Sequence, residues 1–219
     1  TIKDRVDTFE RKAPAFEPGT RLLYSNMGFE LLGRVIEIVT GQDYYDYMQK
    51  HVFAPAGATS ASFPLLPKNG VAVVPMAYPY ERAWDEGNIR PYVENTLGKD
   101  FRRGGPSGSS IASALDLIKL SNAMNAGRIV TLETLRLHST PKPELGAKNY
   151  GYGFATRARR ADRPLVGHGG NSRGTCTEFG ELKDSPYTIV VLSNLTINKC
   201  MEVTERILRV LRPSQAPGA

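Results

Sequence analysis

An α+β fold is predicted on three observations. Helical patterns come first, within residues 1–140, strand-like runs follow in residues 141–219, and an amphipathic helix closes the chain. We divide the chain accordingly into a helical region, 1–140, and an antiparallel sheet with a C-terminal helix, 141–219, sharing one fold. The first strong helix follows "PGTRLLYSNMGFELLG", where Gly28, Leu31, Leu32, Val35, Ile36 and Val39 fall on one face and Glu30, Arg34 and Glu37 on the other. Gly41 supplies its stop. A second helix is expected from Asp43, burying Tyr44, Tyr47, Met48 and Val52 and ending at Pro55.

Residues 56–109 hold many of the prolines and glycines, with "VAVVPMAYPY" as the one strand-like run. Irregular segments of that length inside a compact domain are often binding loops. Order resumes at "SALDLIKLSNAMNAG": Ser113 and Asp116 have capping-box spacing, and Leu117, Leu120 and Met124 form an apolar face. A short helix is expected from Thr131 to Leu137. Four strand-like runs follow, "YGYGFATRA", "PLVGHGG", "GTCTEFGEL" and "YTIVVLSNL", the last two joined by the turn Lys183-Asp184-Ser185-Pro186. The closing helix sets Cys200, Val203, Thr204, Ile207, Leu208 and Leu211 on one side.

The composition, 41% hydrophobic and 23% charged over 219 residues, is that of a globular protein with room for a substantial core. No apolar run approaches the roughly 18 residues of a membrane span, and "TIKDRVDTFERKAPAF" has no secretory signal pattern. The net charge of +6 suits an anionic partner. Its main cluster, "RARRADR" at 157–163, has no interleaved aromatics and reads as a solvated hairpin tip, not a nucleic-acid surface. Cys176 and Cys200 make neither a metal motif nor a redox motif; buried free thiols are expected, with a single disulfide as the alternative. His51, His138 and His168 have no metal-ligand spacing, and no cofactor is implied.

Two groups carry chemical potential: Tyr24-Ser25-Asn26 at a helix mouth and His168-Gly169-Gly170 at a strand end. Alone, the first reads as packing and capping and the second as a turn. In order, a Tyr-x-Asn box opening an amphipathic helix, then the Gly-rich "GGPSGSSIASALDLIKL", then His-x-Gly in "GYGF…GHGG", resembles the serine β-lactamase and penicillin-binding protein family. The resemblance runs through nearly the whole chain. It implies a β-lactamase/transpeptidase-like fold and acyl transfer through a serine ester on a small ester, amide or peptide substrate, in a periplasmic or secreted setting.

It also implies roles. Tyr24 would be the base that activates the nucleophile and returns the proton; a phenol of ordinary pKa, about 10, does so only where nearby cations favour the phenolate. Asn26 would hold the substrate amide or the catalytic lysine. His168 would replace the lysine of Lys-Thr-Gly, supporting the tyrosine side and the proton path. Gly170 would let substrate approach the strand edge, where the Asn171 amide donates to the oxyanion. Gly169 stands where β-lactamases carry a hydroxyl residue, which favours an esterase, amidase or peptidase-like relative.

The family nucleophile, in Ser-x-x-Lys at a helix start upstream of Tyr-x-Asn, has no counterpart here. The one literal match, Ser139-Thr140-Pro141-Lys142, follows the box and contains Pro141, with Pro143 next, which forbids the helical turn. Ser25, the middle residue of its box, is not the nucleophile. The expectation is therefore the C-terminal portion of a family enzyme without its N-terminal strands and nucleophile helix, inactive alone. Its last strand would have an unpaired edge prone to self-association. The alternative is a non-catalytic relative acting as a binding module.

Overall fold

The computed structural model describes residues 1–9, 11–66, 74–79, 81–85, 88–92, 103–157, 164–172, 174–195 and 199–211. The helical part is built on aromatic packing. Helix α1 (Ile2–Asp7), with a capping box between Thr1 and Asp4, buries Ile2 and Val6. They join a cluster containing Tyr44, Tyr45, Phe53, Phe63 and Ala123. Helix α2 (Asn26–Thr40) begins at the Ser25 N-cap, whose Oγ accepts from the Gly28 amide, and ends at Gly41 in the left-handed region, φ 66°.

The face that α2 turns inward differs from the face its periodicity marks as apolar. Glu30 and Gly33 are buried, whereas Leu31, Leu32, Val35 and Val39 are exposed, Val39 to 77%. The reason lies in specific partners. Arg5 donates to the Glu30 carboxylate at 3.3 Å and Ser107 Oγ donates to it at 2.6 Å. A β-carbon at Gly33 would overlap Pro106. Helix α2 thus closes on α1 and on the 104–108 loop.

Helix α3 (Tyr44–Met48), N-capped by Asp43, buries Tyr44 and Tyr45, with Tyr47, Met48 and Val52 only half-buried. Pro55 does not end this helical run. A wider π turn over Gln49–Phe53, closed from the Ala54 amide to Gln49 O, leads into α4 (Ala54–Ala56), and Gly57 at φ 70° ends it.

Within 56–109 the strand-like run "VAVVPMAYPY" falls partly outside the described residues, and residues 74–79 form no strand. Instead β1 (Glu81–Asp85) and β2 (Asn88–Tyr92) make an antiparallel hairpin. Helix α5 (Ala114–Asn125) has the expected capping box of Ser113 and Asp116, burying Asp116, Ser121 and Ala123. Helix α6 (Leu132–Ser139) starts at the Thr131 cap.

The sheet is an antiparallel meander in the order β3-β4-β5-β6, comprising β3 (Ala155–Arg157), β4 (Leu165–Ser172), β5 (Thr175–Leu182) and β6 (Thr188–Ser193). Helix α7 (Cys200–Val210) covers one face, where Leu165, Leu182, Ile189 and Leu208 form a second core. Val203, expected on the buried side of α7, is exposed. Helix α5 packs on the other face, with Ser121 Oγ bonded to Glu181.

Two expectations are corrected. The cysteines are not free: Cys176 of β5 and Cys200 of α7 form a disulfide, Cα–Cα 6.0 Å, because α7 folds back across the sheet. Arg157, the first residue of "RARRADR", is not a solvated tip but a half-buried partner of the Glu178 carboxylate. Residues 158–163 lie outside the described residues. Strand β6 pairs with β5 and with no second strand among the described residues.

Candidate active site

Ser25 takes the capping duty at the mouth of α2, which leaves its neighbours available for other work. Tyr24 is 57% exposed, and Asn26, the first residue of the helix, is exposed. The Tyr24 ring lies over His168 of β4, centroids 6.1 Å apart and planes within 26°. Two residues 144 positions apart in sequence (168 − 24) therefore share one surface.

A third ring, which the sequence reading missed, completes the cluster. Tyr150 lies edge-on to both, 6.1 Å from Tyr24 and 5.7 Å from His168. Its hydroxyl is 3.0 Å from His168 Nε2, while Nδ1 is 2.7 Å from the Gly169 carbonyl oxygen. A carbonyl can only accept, so Nδ1 carries the hydrogen; in the neutral ring Nε2 then accepts, and the Tyr150 hydroxyl donates to it. Burial pushes the Tyr150 phenol up, and the neighbouring Tyr24 adds to this against the opposing charge of Arg157. Tyr150 therefore stays protonated, a donor, through neutral pH. The signal for it was available in "NYGYGF", but only as a strand-like run.

The backbone of β4 beyond His168 presents an edge. Strand β3 pairs with β4 over Leu165–Gly167 and no farther. The Gly170 carbonyl is turned toward β5, where Thr177 Oγ donates to it at 3.4 Å, and the Pro164 carbonyl accepts from Lys183 on the same side. Extended strands alternate, so the peptide groups of Gly169 and Asn171 face the other edge, which carries no strand among the described residues.

The two glycines differ in what surrounds them. A β-carbon at Gly169 would overlap the carboxylate of buried Glu178, which Arg157 holds from β3. At Gly170 a β-carbon would meet only Thr177 Oγ, at 3.4 Å. Packing therefore explains glycine at 169 and not at 170. Gly174 lies against Pro79, which brings part of the long 56–109 segment to the end of β4.

The remaining candidates fall elsewhere. Ser139 ends α6 with Oγ bonded to the Leu135 carbonyl, and Lys142 lies over the Tyr152 ring, so no helical turn sets this serine and lysine together. His51 packs on Tyr47 and His138 on Tyr152, apart from His168. No helix of the described residues is long and apolar enough to cross a membrane.

Comparison with known proteins places this geometry in context. The Beta-lactamase family model matches residues 2–211. A putative penicillin-binding protein of Bacillus subtilis, PbpX, is 26% identical over 215 residues, covering 96% of this chain and 50% of its own length. The chain thus spans about half the length of that curated relative. Among solved structures, a penicillin-binding protein from Bacillus halodurans superposes with a TM-score of 0.76 at 23% identity, over 94% of this chain and 62% of the other. The D-amino acid amidase of Ochrobactrum anthropi SV3 gives 0.72 at 23% identity, over 96% and 63%. An octameric penicillin-binding protein homologue from Pyrococcus abyssi gives 0.77 at 24% identity, over 96% and 47%.

Proposed function

From the premise that the chain belongs to the Beta-lactamase family, we propose that it forms the Tyr-x-Asn and His-x-Gly side of a serine hydrolase that transfers acyl groups from small esters, amides or peptides. The observation that carries this reading is the stacking of Tyr24 on His168 beside the open edge of β4. Tyr24 acts as general base and later as acid, a role generally worth roughly 10²–10⁴ in rate. Asn26, exposed beside it, orients the substrate amide or a lysine. Gly170 leaves room for substrate along β4, and the Asn171 amide serves the oxyanion; such a donor is typically worth about 2.7–4 kcal/mol. Gly169 leaves no hydroxyl at its position, consistent with an amidase or esterase more than with a penicillin hydrolase.

Residues 1–219 contain no helical Ser-x-x-Lys of the family type, so the reading requires the nucleophile from a segment outside them. The exposed apolar face of α2, continuous along the helix with Tyr24 and Met27, is the seat we assign to it. A polypeptide that carries both parts should hydrolyse a p-nitrophenyl ester and lose at least about 100-fold in kcat on Tyr24→Phe. Unchanged turnover in that variant refutes the role. Residues 1–219 alone should take up no fluorophosphonate label; a covalent adduct would mean the nucleophile is misidentified. A second reading, a non-catalytic module that binds through the same cleft, predicts substrate-like binding without turnover in every such polypeptide.

A further inference from the structure

We infer that Tyr150 holds His168 in one tautomer, and that the two phenols of the cluster divide their tasks: Tyr150 locks the imidazole, while Tyr24 keeps its hydroxyl for the reaction. Both ring nitrogens of His168 have partners, Nε2 the Tyr150 hydroxyl and Nδ1–H the Gly169 carbonyl. Neither is hydrogen-bonded to Tyr24, whose ring centroid lies 6.1 Å from that of the imidazole. A proton leaving Tyr24 therefore does not pass through this imidazole. The work of His168 is to occupy the Gly169 carbonyl, so that the peptide group of Asn171 is the next one offered along the edge of β4.

Tyr150 is built to hold still. Its carbonyl accepts from the Lys142 amide at 3.0 Å, and the next amide, Gly151, donates to Phe154 at 2.8 Å. A β-carbon at Gly151 would overlap the His138 carbonyl, so the turn that carries the phenol is clamped against the end of α6. Among the described residues, the titratable groups set around His168 are Tyr24 and Tyr150, on its own face of the sheet. Arg157 and Glu178 form their ion pair on the opposite face, from which the Arg157 charge still acts on Tyr150. Tyr150 is thus a positioning residue.

The tautomer stands on this chain's geometry alone, whereas the division of tasks rests on the acyl-transfer reading above. The test uses ¹⁵N-labelled residues 1–219 and long-range ¹H–¹⁵N spectra of the imidazoles, with His168→Gln to assign its signals among the three histidines. At pH 8, His168 should show a protonated Nδ1 and an unprotonated Nε2. Tyr150→Phe removes the hydroxyl bonded to Nε2, so His168 should then show mixed tautomers. Tyr24→Phe should leave the tautomer as it was. A His168 protonated on Nε2 in the unmodified chain overturns the inference, with no variant needed. So does a Tyr150→Phe protein whose His168 signals are unchanged. Neither readout depends on turnover, so failure of the hydrolase reading would leave this result standing, and the reverse.

Discussion

At position 169 any side chain larger than hydrogen must displace the Glu178 carboxylate, which is buried and already held by Arg157 across Gly167. Gly169→Thr should therefore cost about 1–3 kcal/mol, the range for overfilling a packed site. Gly170→Ala should stay within about 0.5 kcal/mol, because the space beside it is open. Thermal unfolding of the two variants measures the contrast, and equal losses would remove the distinction drawn between the glycines. Asp116 makes a second residue-scale case. Burial raises its pKa, but bonds from Ser60 Oγ, Ser113 Oγ and the Ser113 amide outweigh burial and hold the carboxyl down at about 2. The folded value lies below the unfolded one, about 3.9, so this stabilisation is complete above about pH 4 and fades as pH falls toward 2. Ser113→Ala should cost about 1 kcal/mol at neutral pH. In acid titration of unfolding free energy, its deficit should shrink below pH 4; a deficit constant with pH would mean that Asp116 is not its source.

Elements were legible where a local signal sets a boundary. Ser25 and Gly41 bound α2, Ser113 and Asp116 open α5, and Asp184, at φ 57°, turns β5 into β6. Tyr24 and His168 were legible as a pair only through the order of their motifs; the third ring, Tyr150, lacked any motif of its own. What periodicity cannot state is which neighbour covers a face. The apolar side of α2 was read correctly as a stripe, yet the inward side is the one with Glu30 and Gly33, because Arg5, Ser107 and Pro106 fit there. The cysteines were misread for the same reason. Their separation of 24 residues says nothing until α7 is laid back over β5. That crosslink ties the closing helix to the sheet, and a loop of this length stabilises by about 3.5 kcal/mol in the chain-entropy account. Cys176→Ser with Cys200→Ser should lower unfolding free energy by that order in urea, and reductant should do the same to the parent chain while leaving the double variant unmoved.

At the scale of the molecule, two surfaces remain uncovered among the described residues: the outer edge of β6 and the apolar face of α2. An edge strand offers unpaired amides and carbonyls to any second strand, and an apolar patch of several large side chains on a monomer commonly marks an interface. Residues 1–219 in isolation should therefore self-associate at micromolar concentration, seen as a concentration-dependent mass in light scattering. The two surfaces can be separated. Leu31→Lys with Val35→Lys places charge on α2 at exposed positions that no buried partner uses, so the fold should survive and the mass should fall toward one chain if the helix face drives association. Leu192→Lys, at an exposed position on β6, should have the larger effect if the sheet edge does. A parent chain that stays monomeric across the concentration range would mean that neither surface is sticky enough to need a cover, and would count against α2 as the seat proposed for the nucleophile.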